Sequence, residues 1–375
     1  MGYNVRMKIE MLMVAGAMLS VSFVFGGEQL LNIPPCAKGK SRFVVPTDRV
    51  WPEKPGEGDI CLWKDDRFAA CAITIDDNCK PDHDWWLKLT EELGIKVTWF
   101  VITDGVDKKS NPGFSGTWPD FQRLADAGHS IQSHTTNHKA QKKGEAPIPD
   151  ADLEAMYRDS LKTINEHITN NVATCIAYPC GEAHEQILAK YAIAARGVYG
   201  VPSTAGSINY LCTNKGGPEK GLVDIVAYGE TDGDPKWIRG KKELKRGLDI
   251  VLYHFVQAGR SPEEKAKNAA NAEKQVRYIA ALKDDLLWVC RFDDVMKYGQ
   301  ERDTAKLTCT LDGDKIKVSV TDDMKDDVFD FPLTVKVRLP DGWKTVKGGK
   351  FLEHDGKPYA LVDVVPDKGA VVLSK

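Results

Sequence analysis

Short apolar runs alternate with longer amphipathic segments between about residue 68 and residue 300. The apolar runs have the length and the Val, Ile and Phe content of buried strands, and they cover 68–75, 96–102, 129–133, 173–178, 197–201, 250–253 and 287–292. The segments between them repeat apolar positions at helical spacing, and they cover 84–93, 118–127, 150–169, 182–194 and 261–282. This alternation predicts βα units around a mainly parallel sheet. About seven such units favour a barrel over an open sheet.

The pattern changes after the last predicted helix, which covers 293–300. From there on the apolar positions alternate with a period of two, in runs at 307–311, 316–320, 333–339 and 360–365. The first two runs flank the turn sequence Asp312-Gly313-Asp314, which indicates a β-hairpin. We therefore predict a barrel domain over 66–302 and a small antiparallel β domain over 303–375.

The N-terminus has the pattern of a secretory signal. Arg6 and Lys8 precede an uncharged run over 11–25, and small residues follow it. The run is too short for a comfortable membrane span, although an uncleaved anchor remains an alternative. We expect residues 1–27 to be removed and the protein to be secreted or periplasmic. The proline-rich segment 28–65 is predicted to be an extended arm laid over the barrel.

Composition and charge narrow the class of protein. The chain has 375 residues, with 42% hydrophobic and 28% charged residues, which is typical of a globular protein. A net charge of −3 provides no basic field for nucleic acid or an anionic membrane. Nine cysteines leave at least one thiol free unless two chains pair. Cys36 and Cys61 are a possible bridge, and Cys71, Cys175 and Cys290 are expected to be buried.

Polar residues follow several predicted strands, where a βα barrel gathers its chemistry. Asp76 and Asp77 follow the first strand, and His134 and His138 follow the third. On a helical turn the two histidines would point to one side. With Asp77 they would form a ligand set for a divalent metal that leaves a position for water, and Asp76 would be free to act as a base. Alone, each half has an ordinary alternative, a turn or helix cap for the aspartates and a solvated helix face for the histidines.

Four segments, in order, resemble the motifs of the polysaccharide deacetylases, also called the NodB-homology or carbohydrate esterase family four enzymes. They are Thr74-Ile75-Asp76-Asp77, the segment 128–138 with its two histidines, Ala177-Tyr178-Pro179-Cys180-Gly181, and Ile250-Val251-Leu252-Tyr253-His254. The resemblance covers about 66–300 and implies a distorted (β/α)7 barrel of the NodB-homology type.

The resemblance also implies a role for each matching residue. Asp76 would be the general base and His254 the general acid, while Asp77, His134 and His138 would bind a divalent metal, most often Zn²⁺, with Co²⁺ or a similar ion possible. Leu252 would line the pocket for the acetyl methyl group, and the Cys180 backbone N–H would stabilise the oxyanion. Tyr178, Pro179 and Cys180 would contact substrate. Further aromatic candidates for stacking on sugars are Trp118, Tyr199, Trp237 and Tyr253.

Departures from the family pattern concern the support of the proton-transfer groups and the wall of the pocket. Ala177 stands where many members have an arginine that braces the base, and Cys180 stands where a tyrosine or phenylalanine is usual. The fourth motif, an aspartate near a tryptophan, is not clear. The segment 232–237 is a candidate, but an ordinary loop explains it equally well. The residues that support Asp76 and His254 therefore stay unassigned.

The sequence therefore predicts a secreted metal-dependent deacetylase that uses metal-activated water. Its substrate would be an acetylated carbohydrate, carrying N-acetyl or O-acetyl groups on a polysaccharide or oligosaccharide. A catalytically degenerate glycan-binding protein is one alternative. A hydrolase of another non-peptide C–N bond is the other.

Overall fold

The computed structural model describes residues 43–108, 114–141, 144–218, 222, 225, 244–284 and 286–375. Its strands are, in chain order, β1 (Gly58–Ile60), β2 (Ala69–Asp76), β3 (Thr98–Val101), β4 (Ser130–Ser133), β5 (Cys175–Ala177), β6 (Ala194–Gly200), β7 (Thr213–Lys215), β8 (Leu248–Tyr253), β9 (Leu287–Cys290), β10 (Lys306–Asp312), β11 (Lys315–Thr321), β12 (Leu333–Arg338), β13 (Lys350–His354), β14 (Lys357–Val364) and β15 (Val371–Ser374). Its helices are α1 (His83–Leu93), α2 (Trp118–Asp126), α3 (Asp150–His167), α4 (Glu185–Leu188), α5 (Pro262–Ala281) and α6 (Phe292–Thr304).

A parallel sheet curls into a nearly closed barrel. Its strand order is β7-β6-β5-β4-β3-β2-β8, and β9 pairs with the first half of β2. The Gly216 N–H donates to the Ile250 carbonyl at 3.0 Å, which brings the end of β7 to β8. The fold is therefore the predicted β/α barrel, with helices on the connections between its strands.

Strand β2 pairs with β3, β8 and β9, and all of its residues are buried. A parallel strand that is covered on both sides needs an unbroken apolar sequence, and Ala69–Ile75 satisfies this requirement except at Thr74, whose hydroxyl donates to the Val251 carbonyl at 3.0 Å. The polar residues Asp76 and Asp77 come only where the strand ends. The apolar run therefore fixes where the two carboxylates emerge.

Helix α6 packs across the opposite end of the barrel. The Phe292 N–H donates to the hydroxyl of Thr98 at the start of β3, at 2.8 Å, and its ring meets Phe100 edge-on at 5.5 Å. The Tyr298 hydroxyl donates to the Cys61 carbonyl at 2.7 Å. These buried contacts close the amino-terminal end of the barrel and leave its carboxyl-terminal end for the site.

The remaining strands form two antiparallel sheets, with strand orders β1-β12-β14-β13 and β10-β11-β15. Strand β1 belongs to the segment predicted as an arm over the barrel, but Gly58 pairs with Val337 of β12. Gly58 has no side chain, and a Cβ there would lie 2.6 Å from the Cys309 Sγ of β10. The N-terminal segment thus supplies an edge strand to the C-terminal sheet, a pairing that the local pattern did not reveal.

Local patterns were least reliable between β5 and β6. Most of the helix predicted over 182–194 is absent; α4 covers only Glu185–Leu188, and the apolar end of the segment opens β6. The Ile193 N–H donates to the Thr174 carbonyl at 2.9 Å, next to β5. Pairing with a neighbouring strand therefore overrides the helical preference of an alanine-rich run.

Cys71, Cys175 and Cys290 are buried, as predicted, whereas Cys36 and the predicted signal at 1–27 lie outside the described residues. Across the part of the chain that the structure describes, none of the helices combines the length and the apolar character that a membrane span needs.

Candidate metal and catalytic site

The carboxyl-terminal ends of β2, β4 and β8 bring the predicted site residues together. Asp76 is the last residue of β2, and its Oδ2 lies 3.5 Å from His134 Nε2 and 3.7 Å from His254 Nε2. Asp76 and His134 are buried, whereas the His254 side chain is 47% exposed. A buried carboxylate therefore faces one buried imidazole and one that is open to solvent.

Asp77, His134 and His138, the metal ligands that the sequence predicted, lie close together. One ligand atom of each lies within 4.8 Å of the others, and these residues are the candidate metal cluster found among the described residues. His134 Nε2 lies 4.0 Å from Asp77 Oδ1, and the two imidazole rings are 4.5 Å apart in an edge-on arrangement. One carboxylate and two imidazoles are a ligand set that suits zinc.

The Ala177 carbonyl fixes the chemical form of His134. His134 Nδ1 lies 2.8 Å from this oxygen, and because a carbonyl can only accept, Nδ1 carries the proton. Nε2 is then unprotonated, and its lone pair is available for a metal shared with Asp77 and His138. This arrangement is common in metal-binding histidines. Burial lowers the pKa of His134 and keeps the ring neutral. The residues therefore fit a divalent metal by tautomer as well as by position.

The His134-to-His138 segment is an irregular turn, so the prediction of a helical turn was wrong. Thr135 has a φ of 67° and His138 a φ of 56°, both in the left-handed region. The Ser133 hydroxyl accepts from the Thr135 N–H at 2.9 Å, and the Thr135 hydroxyl accepts from the His138 N–H at 3.1 Å. The Ser133 and Thr135 hydroxyls thus accept N–H groups that a helix would pair with backbone carbonyls. The two imidazole rings still lie close together.

Left-handed backbone recurs around the site. Asp77 has a φ of 68°, Cys180 of 53° and Phe255 of 33°. Such conformations cost about 1–3 kcal/mol each for residues other than glycine and cluster at functional sites. Asn78 holds the turn at Asp77, since its side chain exchanges two hydrogen bonds with the Ile102 backbone at 2.8 and 3.0 Å.

Arg196 is a residue of the candidate site that the sequence analysis missed. It lies on β6, is fully buried, and its Nη2 is paired with Asp76 Oδ2. Arg196 is the register partner of Ala177, the position where an arginine was expected. Arg196 therefore supports Asp76 from β6, the strand next to the one that carries Ala177. The signal was a single arginine within an apolar run, and only strand pairing shows where it points.

The turn after β5 differs from its predicted role. Tyr178 is 1% exposed, and its hydroxyl donates to the Leu211 carbonyl at 2.8 Å, so its side chain cannot contact a substrate. Pro179 is buried as well. Cys180 is exposed in the Pro179–Gly181 turn, and Leu252 is half-buried.

The other aromatic candidates are separated by their burial. Tyr253 is buried, with its hydroxyl donating to Gln275 at 3.1 Å. Trp118 stacks on His167 at a ring distance of 4.4 Å, whereas Tyr199 is 57% exposed near the end of β6. Trp237 and the uncertain fourth motif at 232–237 lie outside the described residues.

Comparisons with known proteins identify a matching family and a relative in sequence. Residues 64–196 match the family model for polysaccharide deacetylase. A gellan lyase from a Bacillus species is 37% identical over 370 residues, which cover 92% of this chain and 14% of that protein. This chain thus spans about one seventh of the length of that relative.

Among solved structures, the Xyl-CE4 domain of a multidomain xylanase from the hindgut metagenome of Trinervitermes trinervoides has a TM-score of 0.37 at 12% identity, covering 61% of this chain and 90% of that one. A T48 deacetylase with substrate has a TM-score of 0.36 at 17% identity, covering 60% and 89%. The segment 64–196 of this chain is thus similar to the polysaccharide deacetylases.

Proposed function

We propose that this protein is a metal-dependent hydrolase that removes acetyl groups from a carbohydrate. The observation that carries the proposal is the group formed by Asp77, His134 and His138, which adjoins Asp76 and His254 at the carboxyl-terminal end of the barrel. It combines a ligand set with two separate groups that can move protons, as the hydrolysis of an amide or ester requires.

Zinc is the metal that this ligand set suits best, because two imidazoles and a carboxylate leave an open position in a tetrahedral shell. When bound, the ion would polarise the acetyl carbonyl and make water a stronger nucleophile. The Ala177 carbonyl would hold His134 in the ligating tautomer. Arg196 would hold Asp76 in place beside the three proposed metal ligands.

The two proton-transfer residues would have opposite roles. Asp76 would accept a proton from the attacking water, and His254 would donate one to the departing amine or alkoxide. A new bond forms between the water oxygen and the acetyl carbon, and the bond from that carbon to the sugar nitrogen or oxygen breaks. The products are acetate and a free amine or hydroxyl. The Cys180 backbone N–H would stabilise the oxyanion, and Leu252 would contact the methyl group.

Arg196 also bears on the alternative of a glycan-binding protein without activity. The loss of an arginine at Ala177 favoured that alternative, because the base then lacked a support. Arg196 offsets that loss from the neighbouring strand. The structure therefore supports hydrolysis over binding alone.

The substrate class is also a proposal. The family match and the relative named a gellan lyase support an acetylated polysaccharide or oligosaccharide. We further propose secretion or export to the periplasm, from the signal pattern over 1–27, and a division into a barrel at 66–302 and an accessory β domain at 303–375.

Acetate release from a panel of N-acetylated and O-acetylated glycans tests the proposal. The protein should be assayed after metal reconstitution and again with a chelator. We expect release from at least one glycan that is lost with the chelator and restored by Zn²⁺ or Co²⁺. Glycan binding without acetate release in any metal state would favour the non-catalytic alternative. Release of another amine product, without acetate, would favour hydrolysis of a different C–N bond.

A further inference from the structure

Asp82 occupies a position where aspartate usually caps a helix, but it does not cap one. It immediately precedes α1, and its side chain accepts no hydrogen bond from that helix. Its Oδ2 accepts the Val256 N–H at 2.7 Å, and its Oδ1 accepts the Gln257 N–H at 3.1 Å. The side chain is fully buried. Since an N-cap aspartate stabilises its own helix, using both oxygens elsewhere indicates a different role.

The two N–H groups belong to the turn that directly follows His254. Phe255 within this turn has a φ of 33°, a conformation that residues with a side chain rarely adopt. The turn therefore needs contacts from outside itself, and Asp82 supplies two of them. A third comes from the Gln257 side chain, whose Nε2 donates to the Pro81 carbonyl at 2.7 Å.

The partner of this turn is the segment that leaves the Asp76–Asp77 strand end. The Phe255 ring packs on Phe114 at 5.3 Å, and the Phe114 carbonyl accepts the Lys80 N–H at 2.8 Å. Burial raises the pKa of Asp82, while the two backbone donors oppose this shift. The loop that carries His254 is thus fastened to the loop that carries Asp76 and Asp77.

We propose that Asp82 is a positioning residue for His254, setting the distance between the imidazole and the base. The inference rests on the proposed function, in which His254 protonates the leaving group. The His254 side chain is 47% exposed, so packing around the ring restrains it weakly and the backbone of the following turn must set its direction. Asp82 fixes that backbone from a buried site that does not touch the reacting atoms.

The test compares two substrates that differ in their need for an acid. An acetylated glycan has a poor leaving group, which must be protonated, whereas 4-nitrophenyl acetate has a good one, which leaves as an anion. We expect Asp82→Asn to lower kcat on the glycan about 10-fold or more and to change hydrolysis of the aryl ester far less. An amide can accept only one of the two N–H groups, so the turn shifts. Zinc content should match the unmutated protein.

His254→Ala separates failure of the inference from failure of the proposed function. If His254→Ala lowers the hydrolysis rates of both substrates equally, His254 is not the acid, and the positioning role fails with it. If His254→Ala lowers the rate on the glycan selectively, but Asp82→Asn lowers both rates equally or neither rate, only the positioning role is wrong.

Two further variants guard against a folding defect. Gln257→Ala removes only the contact with Pro81, and it should cause a smaller loss that is again selective for the glycan. Asp84→Asn is the matched control, because Asp84 lies two residues from Asp82, is 84% exposed and pairs with Arg123 on the surface. We expect it to leave both rates unchanged. If Asp82→Asn does not fold and Gln257→Ala shows no selectivity, the proposal is overturned.

Discussion

Two buried arginine–aspartate pairs lie at different places in this protein and differ in how completely they are satisfied. Arg196 pairs with Asp76 at the carboxyl-terminal end of the barrel, and Arg302 pairs with Asp303 on α6. All four side chains are at most 5% exposed. Their burial is therefore equal, and the difference lies in their partners.

The pair on α6 has a partner for each of its polar groups. Arg302 donates to Asp303 at 2.8 Å and to the Leu62 carbonyl at 2.7 Å, and the Tyr210 hydroxyl donates to Asp303 at 2.7 Å. The guanidinium also lies over the Trp63 ring at 5.1 Å. This is how a structural ion pair is stabilised once it leaves water.

The pair in the barrel is incomplete. Among the described residues, Asp76 Oδ1 and Arg196 Nε are buried without a hydrogen-bond partner. A buried polar atom without a partner costs about 1–3 kcal/mol, so a fold under selection for stability alone would satisfy it. The comparison teaches that the Arg196–Asp76 pair keeps an open acceptor beside Asp77, His134 and His138, where the proton of the attacking water would arrive.

The largest expected effect is that of Asp76→Asn. The amide cannot accept a proton, so turnover should fall about 10²–10⁴-fold. Metal binding should remain, because Asp76 is not one of the three ligands. Acetate release and zinc content measured on the same sample check this. Turnover near that of the unmutated protein would falsify the assignment of the base.

Removing each arginine in turn tests the comparison itself. Arg196→Met and Arg302→Met should each lower the free energy of unfolding by about 3–5 kcal/mol, because each leaves a buried carboxylate without its counter-charge. Only Arg196→Met should also lower turnover per folded molecule, by about 10-fold or more, since Asp76 loses its orientation. Denaturant unfolding and assays corrected for the folded fraction separate the two effects. An equal loss of turnover in both variants would remove the distinction.

Glu301 precedes the Arg302–Asp303 pair on α6. It should affect the free energy of unfolding in a pH-dependent way and leave turnover unchanged. Burial raises its pKa to about 9 from 4.5, with the nearby Asp322 adding to the shift. The folded state thus holds a proton that the unfolded state releases above about pH 4.5. Between pH 5 and 9, the contribution of Glu301 to the free energy of unfolding should therefore fall as pH rises, by at most about 1.4 kcal/mol per unit.

Glu301→Gln should remove that slope, because glutamine resembles the protonated acid. The variant should be more stable than the unmutated protein at pH 8, and the difference should shrink towards pH 5. Urea unfolding at several pH values measures it, and acetate release provides the control, since turnover should not change. An unchanged slope would contradict burial as the cause.

The smallest effect is expected for Cys180→Ala. The proposed contribution of Cys180 is its backbone N–H, which alanine retains, and its side chain is exposed. Turnover and stability should change by no more than about 0.5 kcal/mol in free energy. A large loss of turnover would show that the thiol itself takes part.

The sequence predicted the part of the site that follows apolar strands. Asp76, Asp77, His134 and His254 could be placed because a run such as 68–75 has strand character by itself, and parallel strands end at one face. The motifs then indicated their roles. The helical turn for His138 and the sugar stacking suggested for the Tyr178 ring were wrong, because local spacing does not record left-handed backbone or burial under neighbouring segments.

The amino-acid sequence by itself therefore determined the barrel, the order of its strands along the chain and the residues at their carboxyl-terminal ends. Hydrophobic periodicity is a local property, and it is written in the chain. Only the tertiary structure decided that Arg196 braces Asp76, that Asp82 fastens the turn after His254 and that β1 joins the C-terminal sheet. Those contacts join residues 120, 174 and 279 positions apart, and such pairs depend on strand register and loop packing, which no local pattern encodes.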